Sequence, residues 1–379
     1  MKKSKTIFLL TSGGLAPALN ATLYGVIKAA RKQGWKILGG LNGWSSLVQN
    51  GRIIDLTNLK IECLKNRGGT FLKSSRTNPF KVQNGINLLH QKIKQHKINA
   101  LVAIGGDDTL SAAAGLFNQE KIPIIGLPKT IDNDLPGTYF SPGFPSAAYY
   151  VASLAAETKE DSAYSLSRVY LIEIMGAHAG FLTCAAALGG ADVIIPPEWR
   201  FDLKNILQLI KNKYQKNGNY CVVAISKEAK IKGLKGLSDK QTDGFGHIRQ
   251  EYICLSLQNE IQSVLGFSTK TMVPMGYLQS GRPIDLDKKL AYQLGQKAVT
   301  LIEQNKFGQA VIINFKNNKF AVKNIALKKM SEPTSKLTKT DFNFSIMQPS
   351  VKYLKYLNSL IGNYKFIDRE YLKLRKKIK

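Results

Sequence analysis

The sequence predicts an α/β protein of two Rossmann-like, doubly wound lobes. Three observations predict it. Short, uniformly apolar runs alternate with longer segments of helical character, as expected where both faces of a parallel sheet are covered. That rhythm restarts after about residue 150. The glycine, aspartate and threonine clusters follow the apolar runs directly, at the carboxyl ends of strands, where open α/β sheets hold their ligands.

Ile7–Leu10 reads as the first strand. The basic residues before it, Lys2, Lys3 and Lys5, imitate a signal peptide, but the apolar run stops at Thr11-Ser12-Gly13-Gly14, too soon for a secretory core. Pro17–Lys32 follows as a helix, with proline suited to its first turn. Ala100–Ile104 is a strand ending at Gly105-Gly106, and Asp108–Leu116 begins a helix. Ile122–Leu127 is a strand ending at Pro128. In the second half, Arg168–Ile174 is a strand and His178–Leu188 a helix of small residues. Asp192–Ile195 and Tyr220–Ile225 are strands flanking the helix Leu203–Lys216. Gln250–Leu265 is helical, Thr271–Met275 a strand, and Leu286–Gln304 a long helix. Ala310–Phe315 and Phe320–Val322 form a hairpin. Pro333, Thr334, Ser335 and Pro349 mark a loop before a final helix. Residues 1–143 with about 279–325 make one lobe, 144–278 the other, and 326–379 a basic C-terminal extension.

Composition narrows the function. Of 379 residues 44% are apolar and 9% aromatic, which excludes disorder for most of the chain. No run reaches the ~18 apolar residues of a membrane-spanning helix. Cys63, Cys184, Cys221 and Cys254 are far apart, with no C-x-x-C pair, which excludes a disulfide scaffold or zinc ribbon and suits a cytoplasmic protein. Lys plus Arg number 54 against 26 Asp plus Glu, a net charge of +28. Such a field favours anionic partners. The charge is spread over the chain, with one dense cluster at Lys373 to Lys379, and no nucleic-acid-binding motif accompanies it. The expectation is a lysine-rich solvated surface, no specific nucleic acid and no membrane. The basic tail is left open between a subunit contact, a polyanion contact and disorder.

Four segments carry chemistry. Thr11 to Asn20 places paired glycines after a strand and before a helix, so that backbone N–H groups can approach an oxyanion. It is neither a dinucleotide fingerprint nor a P-loop, and Gly68 to Ser74 fails the P-loop pattern at Leu72. Arg67 to Arg76 combines two arginines, a lysine and hydroxyls around a glycine pair, which suits phosphate clamping. Gly105-Gly106-Asp107-Asp108-Thr109 puts adjacent carboxylates at a strand end. A helix N-cap explains one of them, and Mg²⁺ beside substrate phosphates explains both. Pro128-Lys129-Thr130-Ile131-Asp132-Asn133-Asp134 adds two carboxylates and a lysine after the next strand. An aspartate there can take a proton from a sugar hydroxyl, and the lysine can neutralise a phosphoryl group.

These segments, in this order, resemble the phosphofructokinase family. The resemblance spans about residues 5–310. It continues through Arg168, Glu173-Ile174-Met175-Gly176-Ala177-His178-Ala179-Gly180, Ile195-Pro196-Pro197-Glu198, Asp243-Gly244-Phe245-Gly246-His247 and Gly276-Tyr277-Leu278-Gln279-Ser280-Gly281. It implies two lobes with the active site in the cleft between them, and Mg²⁺-dependent transfer of a phosphoryl group to the 1-hydroxyl of fructose 6-phosphate. By position, Asp132 is similar to the catalytic base, with Lys129 beside it, and Asp107 to the Mg²⁺ ligand. Gly14, Arg76, Asp108 and Thr109 match donor positions. Thr130, Asp134, Met175, Gly176, Glu228, Tyr277 and Arg282 match positions around the sugar phosphate. Arg168 matches an arginine that reaches the neighbouring subunit's 6-phosphate, which implies a homodimer or homotetramer.

Asp108 and Lys129 resemble the pyrophosphate-dependent branch, since ATP-using members usually carry glycine at the first position and often at the second. A carboxylate at 108 fills space and adds negative charge where the α-phosphate of ATP would lie. Departures from the family are Ala177 in place of an arginine, Lys73 and Ala18 in place of glycines, Lys227 in place of a glutamate that Glu228 could replace, and Ser280 in place of an arginine that Arg282 could replace. Alternatives to the pyrophosphate reading are an ATP-dependent enzyme, a homologue acting on another sugar phosphate such as sedoheptulose 7-phosphate, and a catalytically weakened regulatory or binding homologue. Packing or capping is expected of His178, packing of Trp35 and Trp44, and burial of the four cysteines.

Overall fold

The computed structural model describes residues 4–49, 51–176, 178–234, 241–242, 248–249, 252–362, 364–366 and 369–377. The chain forms two compact units. One runs to Ala147 and resumes over Gln279–Ser335; the other comprises Ala148–Leu278 and the residues from Lys336 onward.

The first unit is built on a seven-stranded sheet. Its strands are β1 (Thr6–Thr11), β2 (Lys36–Gly40), β3 (Ile53–Asp55), β4 (Ala100–Gly105), β5 (Ile124–Pro128) and the hairpin Gln309–Lys316 with Lys319–Ala326. The order across the sheet is hairpin, β5, β4, β1, β2, β3. The interior pairings are parallel, and β3 and the outer hairpin strand are antiparallel edges. Ile7–Leu10 and Leu101–Ile104 are fully buried, because helices cover both sheet faces. The register sets Thr11 opposite Ile104 and Gly105 opposite Pro128, so the carboxyl ends of β1, β4 and β5 lie level. β2 follows β1 on one side while β4 lies on the other, and this reversal of strand order is where doubly wound sheets bind ligands.

The helices Leu19–Lys32 and Asp285–Glu303 cross through glycines. A Cβ on Gly25 would lie 2.2 Å from the Tyr292 carbonyl oxygen, and one on Gly295 2.5 Å from that of Thr22. Asp287, on the second of these helices, is fully buried and accepts from the Gly143 and Ser146 N–H groups and the Ser146 hydroxyl. Burial pushes its carboxyl up to about 6.

The second unit holds a four-stranded parallel sheet in the order Thr269–Met272, β6 (Val169–Ile174), Cys221–Ser226, β7 (Val193–Ile195). The helix Phe144–Glu157 continues into a π-helical turn, Thr158–Ala163. The helix Leu203–Asn217 is capped by Asp202, which accepts from Lys204 N–H at 2.9 Å, and stops at Gly218 in the left-handed region. No described helix is long and apolar enough to cross a membrane.

Several elements differ from the sequence expectation. In place of a helix over His178–Leu188 there is a short helix, Phe181–Cys184, and a 3₁₀ turn, Ala185–Gly189. Alanine favours helix, but Gly180 packs on the Pro196 and Glu198 side chains and donates its N–H to Glu198, and Gly189 lies against the Ala152 carbonyl, so tertiary contacts set the path. The strand expected at Thr271–Met275 is Thr269–Met272, and Pro274 precedes a helix, Met275–Ser280; proline cannot donate to a sheet ladder. Two C-terminal helices, Val351–Ile361 and Arg369–Lys377, stand where one was expected. Gly362, at φ +77°, ends the first. Gln250 and Glu251, at the start of the expected 250–265 helix, lie outside the described residues. Trp35 and Trp44 are buried as expected, and so are three cysteines, but Cys63 is exposed.

Candidate active site

The glycine turn after β1 and the Arg67–Arg76 loop are stitched into one surface. Gly13, at φ +81°, donates its N–H to the Ser75 carbonyl, and its own carbonyl accepts from the Ser74 hydroxyl at 2.6 Å. Thr11 Oγ1 donates to the Lys73 carbonyl, and Asn20 reaches the Gly68 carbonyl and the Phe71 N–H. A Cβ on Gly68 would lie 2.1 Å from the Gly281 carbonyl oxygen, so glycine lets the loop touch the segment that carries Arg282. Lys73 sits at φ +58°, the left-handed region that glycine enters at least cost; the family's glycine there has a backbone reason. Gly14, Arg76 and Arg282 are exposed around this surface.

β4 ends in Gly105, and Gly106 caps the helix Asp107–Glu120 without a side chain. Neither aspartate is therefore the N-cap. Asp107 and Asp108 stand in the first helical turn, both exposed, where the helix dipole favours negative charge. Thr109 is buried, its Oγ1 3.6 Å from the position a Gly13 Cβ would take. Asp108 lines a groove of about 450 Å³ with Asn78, Phe80, Ser111, Ala112, Gly115 and Gln119.

Lys129 follows β5 and is buried, and its Nζ donates to the Gly14 carbonyl. Thus the loops after β1 and β5 meet at one ammonium. Desolvation pulls that ammonium down to about 8, while the charges of Asp132 and Asp107 pull the other way. Asp134 is also buried; desolvation, then Asp132 and Asp107, push its carboxyl up to about 7. Both shifts register the same two carboxylates, so Asp107, Lys129, Asp132 and Asp134 share one electrostatic neighbourhood. Their loop is pinned. Thr130 Oγ1 accepts from Asp132 N–H at 3.0 Å, and Asn133, at φ +59°, accepts from Ser141 N–H at 3.0 Å. Asp287 holds the backbone beyond it, a tie that sequence reasoning missed: nothing marks one aspartate at a helix start as the anchor of a loop 144 residues away.

Among the described residues no group of three or more His, Cys, Asp or Glu side chains could hold a metal by itself. An exposed aspartate in the electrostatic neighbourhood of Lys129 does fit Mg²⁺, which takes one or two carboxylates and completes its shell with water and phosphate oxygens.

In the second unit, Met175 and Gly176 follow β6, with Gly176 at φ +125°. The Gly176 carbonyl accepts from the Ser226 hydroxyl at 3.3 Å, and Ser226 Oγ accepts from Glu228 N–H at 3.3 Å. His178 Nδ1 lies 3.0 Å from Glu228 Oε2, with the His178 side chain 70% exposed. That corrects its expected packing or capping role: it precedes the short helix and pairs with a carboxylate. Tyr277, half-exposed, packs on Tyr150 at 4.6 Å between ring centroids. Arg168 is not brought to Met175 and Gly176. It precedes β6 at the opposite end, and a six-residue strand spans roughly 20 Å. Ala177 and the segment Asp243 to His247 lie outside the described residues.

A family model described as Phosphofructokinase matches residues 6–302. The chain belongs to the phosphofructokinase family. Among phosphofructokinase relatives, a pyrophosphate–fructose 6-phosphate 1-phosphotransferase of Dictyoglomus thermophilum is 37% identical over 311 residues, 81% of this chain and 89% of that protein. One of Amycolatopsis mediterranei is 34% identical over 333 residues, 87% of this chain and 94% of that protein. An ATP-dependent 6-phosphofructokinase of Corynebacterium efficiens is 33% identical over 311 residues, 81% of this chain and 89% of that protein. Among solved structures, the pyrophosphate-dependent phosphofructokinase of Nitrosospira multiformis superposes with a TM-score of 0.86 at 25% identity, covering 95% of this chain and 93% of that one. The fold is that of the family.

Proposed function

We propose that this phosphofructokinase transfers a phosphoryl group from pyrophosphate to the 1-hydroxyl of fructose 6-phosphate, giving fructose 1,6-bisphosphate. The observation that carries the reading is the buried Lys129 ammonium, bonded to the Gly14 carbonyl within the field of Asp132 and Asp107. Asp132 accepts the proton of the attacking hydroxyl, and Lys129 offsets charge on the transferring phosphoryl group. Gly14, Arg76 and Thr109 orient the donor. Asp107 would hold Mg²⁺ beside the donor, and the bound ion would supply neutralisation of pyrophosphate charge.

Thr130, Asp134, Met175, Gly176, Glu228, Tyr277 and Arg282 bind the sugar phosphate in this reading. Arg168 serves the sugar phosphate of a neighbouring subunit, which its place at the far end of β6 supports, and the working enzyme is a homodimer or homotetramer. Unpaired cysteines suit a reducing compartment, and we place the enzyme in the cytoplasm.

One observation favours ATP as a second reading: the groove beside Asp108 offers room next to the donor surface. Asp108 puts a carboxylate on that groove, which supports pyrophosphate. Turnover of fructose 6-phosphate with Mg-pyrophosphate and with Mg-ATP separates the two. Faster turnover with pyrophosphate is expected, and substantially faster turnover with ATP overturns the donor assignment. Asp108→Gly is expected to raise kcat/KM for ATP by roughly tenfold or more, because a like charge near a phosphate costs on the order of 1–4 kcal/mol.

A further inference from the structure

The C-terminal residues extend beyond the family match, yet their side chains enter the second unit. Tyr364 lies 4.5 Å and Phe366 5.5 Å from Tyr149, ring centroid to ring centroid. Tyr149 contacts Tyr150 at 5.6 Å, and Tyr150 contacts Tyr277 at 4.6 Å. Farther along, Arg375 is only 5% exposed. Its guanidinium lies 3.4 Å from the Tyr164 ring centroid and 5.0 Å from that of Tyr220, and it pairs with Glu160. Five aromatic rings thus connect the C-terminal residues to Tyr277, and one buried arginine fastens the last helix to the π-helical turn that follows Phe144–Glu157.

Tyr149 and Tyr150 are adjacent on that helix, so their side chains leave it about 100° apart. One faces the C-terminal rings and the other faces Tyr277. A rotation of the helix therefore moves both contacts together. Tyr277 is 51% exposed, so burial alone does not hold its ring, and Tyr150 provides a fixed aromatic wall.

We propose that Tyr364, Phe366 and Arg375 form a brace that positions Tyr277 for the acceptor sugar phosphate, acting through Tyr149 and Tyr150. This rests on the proposed acceptor role of Tyr277. The three brace residues, and Tyr149 and Tyr150 that relay them, are positioning residues: they act through Tyr277 and not on the reacting atoms. The sequence left the basic tail open between several roles, and its aromatic and arginine contacts assign it this one.

The test uses the full chain with the double variant Tyr364→Ala/Phe366→Ala and the single variants Arg375→Met, Tyr150→Leu, Tyr150→Phe and Tyr277→Leu. Loss of an aromatic contact is expected to raise KM for fructose 6-phosphate roughly 3- to 10-fold, with KM for pyrophosphate unchanged. Tyr150→Phe keeps the ring and is expected to stay within about twofold of the parent. Hydrogen exchange at the amides of Met275–Ser280 supplies a readout independent of turnover, and faster exchange is expected in the C-terminal variants and in Tyr150→Leu. Unaltered exchange in all of these overturns the brace. If Tyr277→Leu raises the acceptor KM and the C-terminal variants do not, the brace falls while the acceptor reading stands. If Tyr277→Leu leaves that KM unchanged, the acceptor role of Tyr277 falls, and the proposal with it.

Discussion

On the proposed reading, a single lysine concentrates the chemistry. Lys129 is buried, so desolvation disfavours its charge, and Asp132 and Asp107 only partly restore it, which leaves it at about 8. The sign follows directly. Below about 8 the group is an ammonium, able to offset phosphate charge; as pH rises through that value it becomes a neutral amine. On the proposed reading, kcat/KM for pyrophosphate falls on the alkaline side of pH 8. Lys129→Met is expected to lower it on the order of 10²- to 10³-fold and to abolish that limb. A steady-state pH profile of both proteins checks this, and an alkaline limb that persists in the variant would refute the assignment. The sequence disclosed which residues lie here, because Gly-Gly, Gly-Gly-Asp-Asp and Pro-Lys-Thr-Ile-Asp-Asn-Asp each follow an apolar strand. It did not disclose that the Lys129 ammonium turns inward to the Gly14 carbonyl. Nor did it show that Asp287 secures the loop, since both are contacts between segments more than 100 residues apart.

Elements were legible where burial made them uniform. The interiors of β1, β4 and β5 are uniformly apolar, so their places were read to within two residues at either end. The segment after β6 misled because its alanines favour helix while Gly180 is held against the Pro196 and Glu198 side chains and Gly189 against the Ala152 carbonyl. Glycine has a comparable role where Leu19–Lys32 crosses Asp285–Glu303, and here composition gives no warning. A methyl group on Gly25 would meet the Tyr292 carbonyl oxygen at 2.2 Å, and no rotamer can relieve a clash with backbone. Gly25→Ala must therefore separate the two helices, and Asp287 rides on the second of them. Overpacking of this kind costs about 1–3 kcal/mol. The urea midpoint of the variant is expected to fall accordingly, in excess of the gain alanine brings to a helix. A midpoint equal to the parent's would show that the crossing is looser than these distances imply.

At the scale of the molecule, the net charge of +28 and the donor surface act over different ranges. Exposed lysines attract a doubly or triply charged anion from a distance, and salt screens that attraction beyond ~10 Å at 0.1 M ionic strength. On the proposed reading Lys129 acts at contact, and because it is shielded from solvent salt weakens it far less. Capture and chemistry should therefore separate in a salt titration of the proposed reaction. Between about 0.01 and about 0.3 M potassium chloride, KM for pyrophosphate is expected to rise several-fold while kcat changes little. Fructose 6-phosphate carries less charge, and its KM should rise less steeply over the same range. If the two constants rise in parallel with a fall in kcat, salt is acting on the fold or on the reacting groups. If neither constant moves, the lysines only keep the protein soluble, and substrate reaches the Gly14 and Lys129 surface without help from the long-range field.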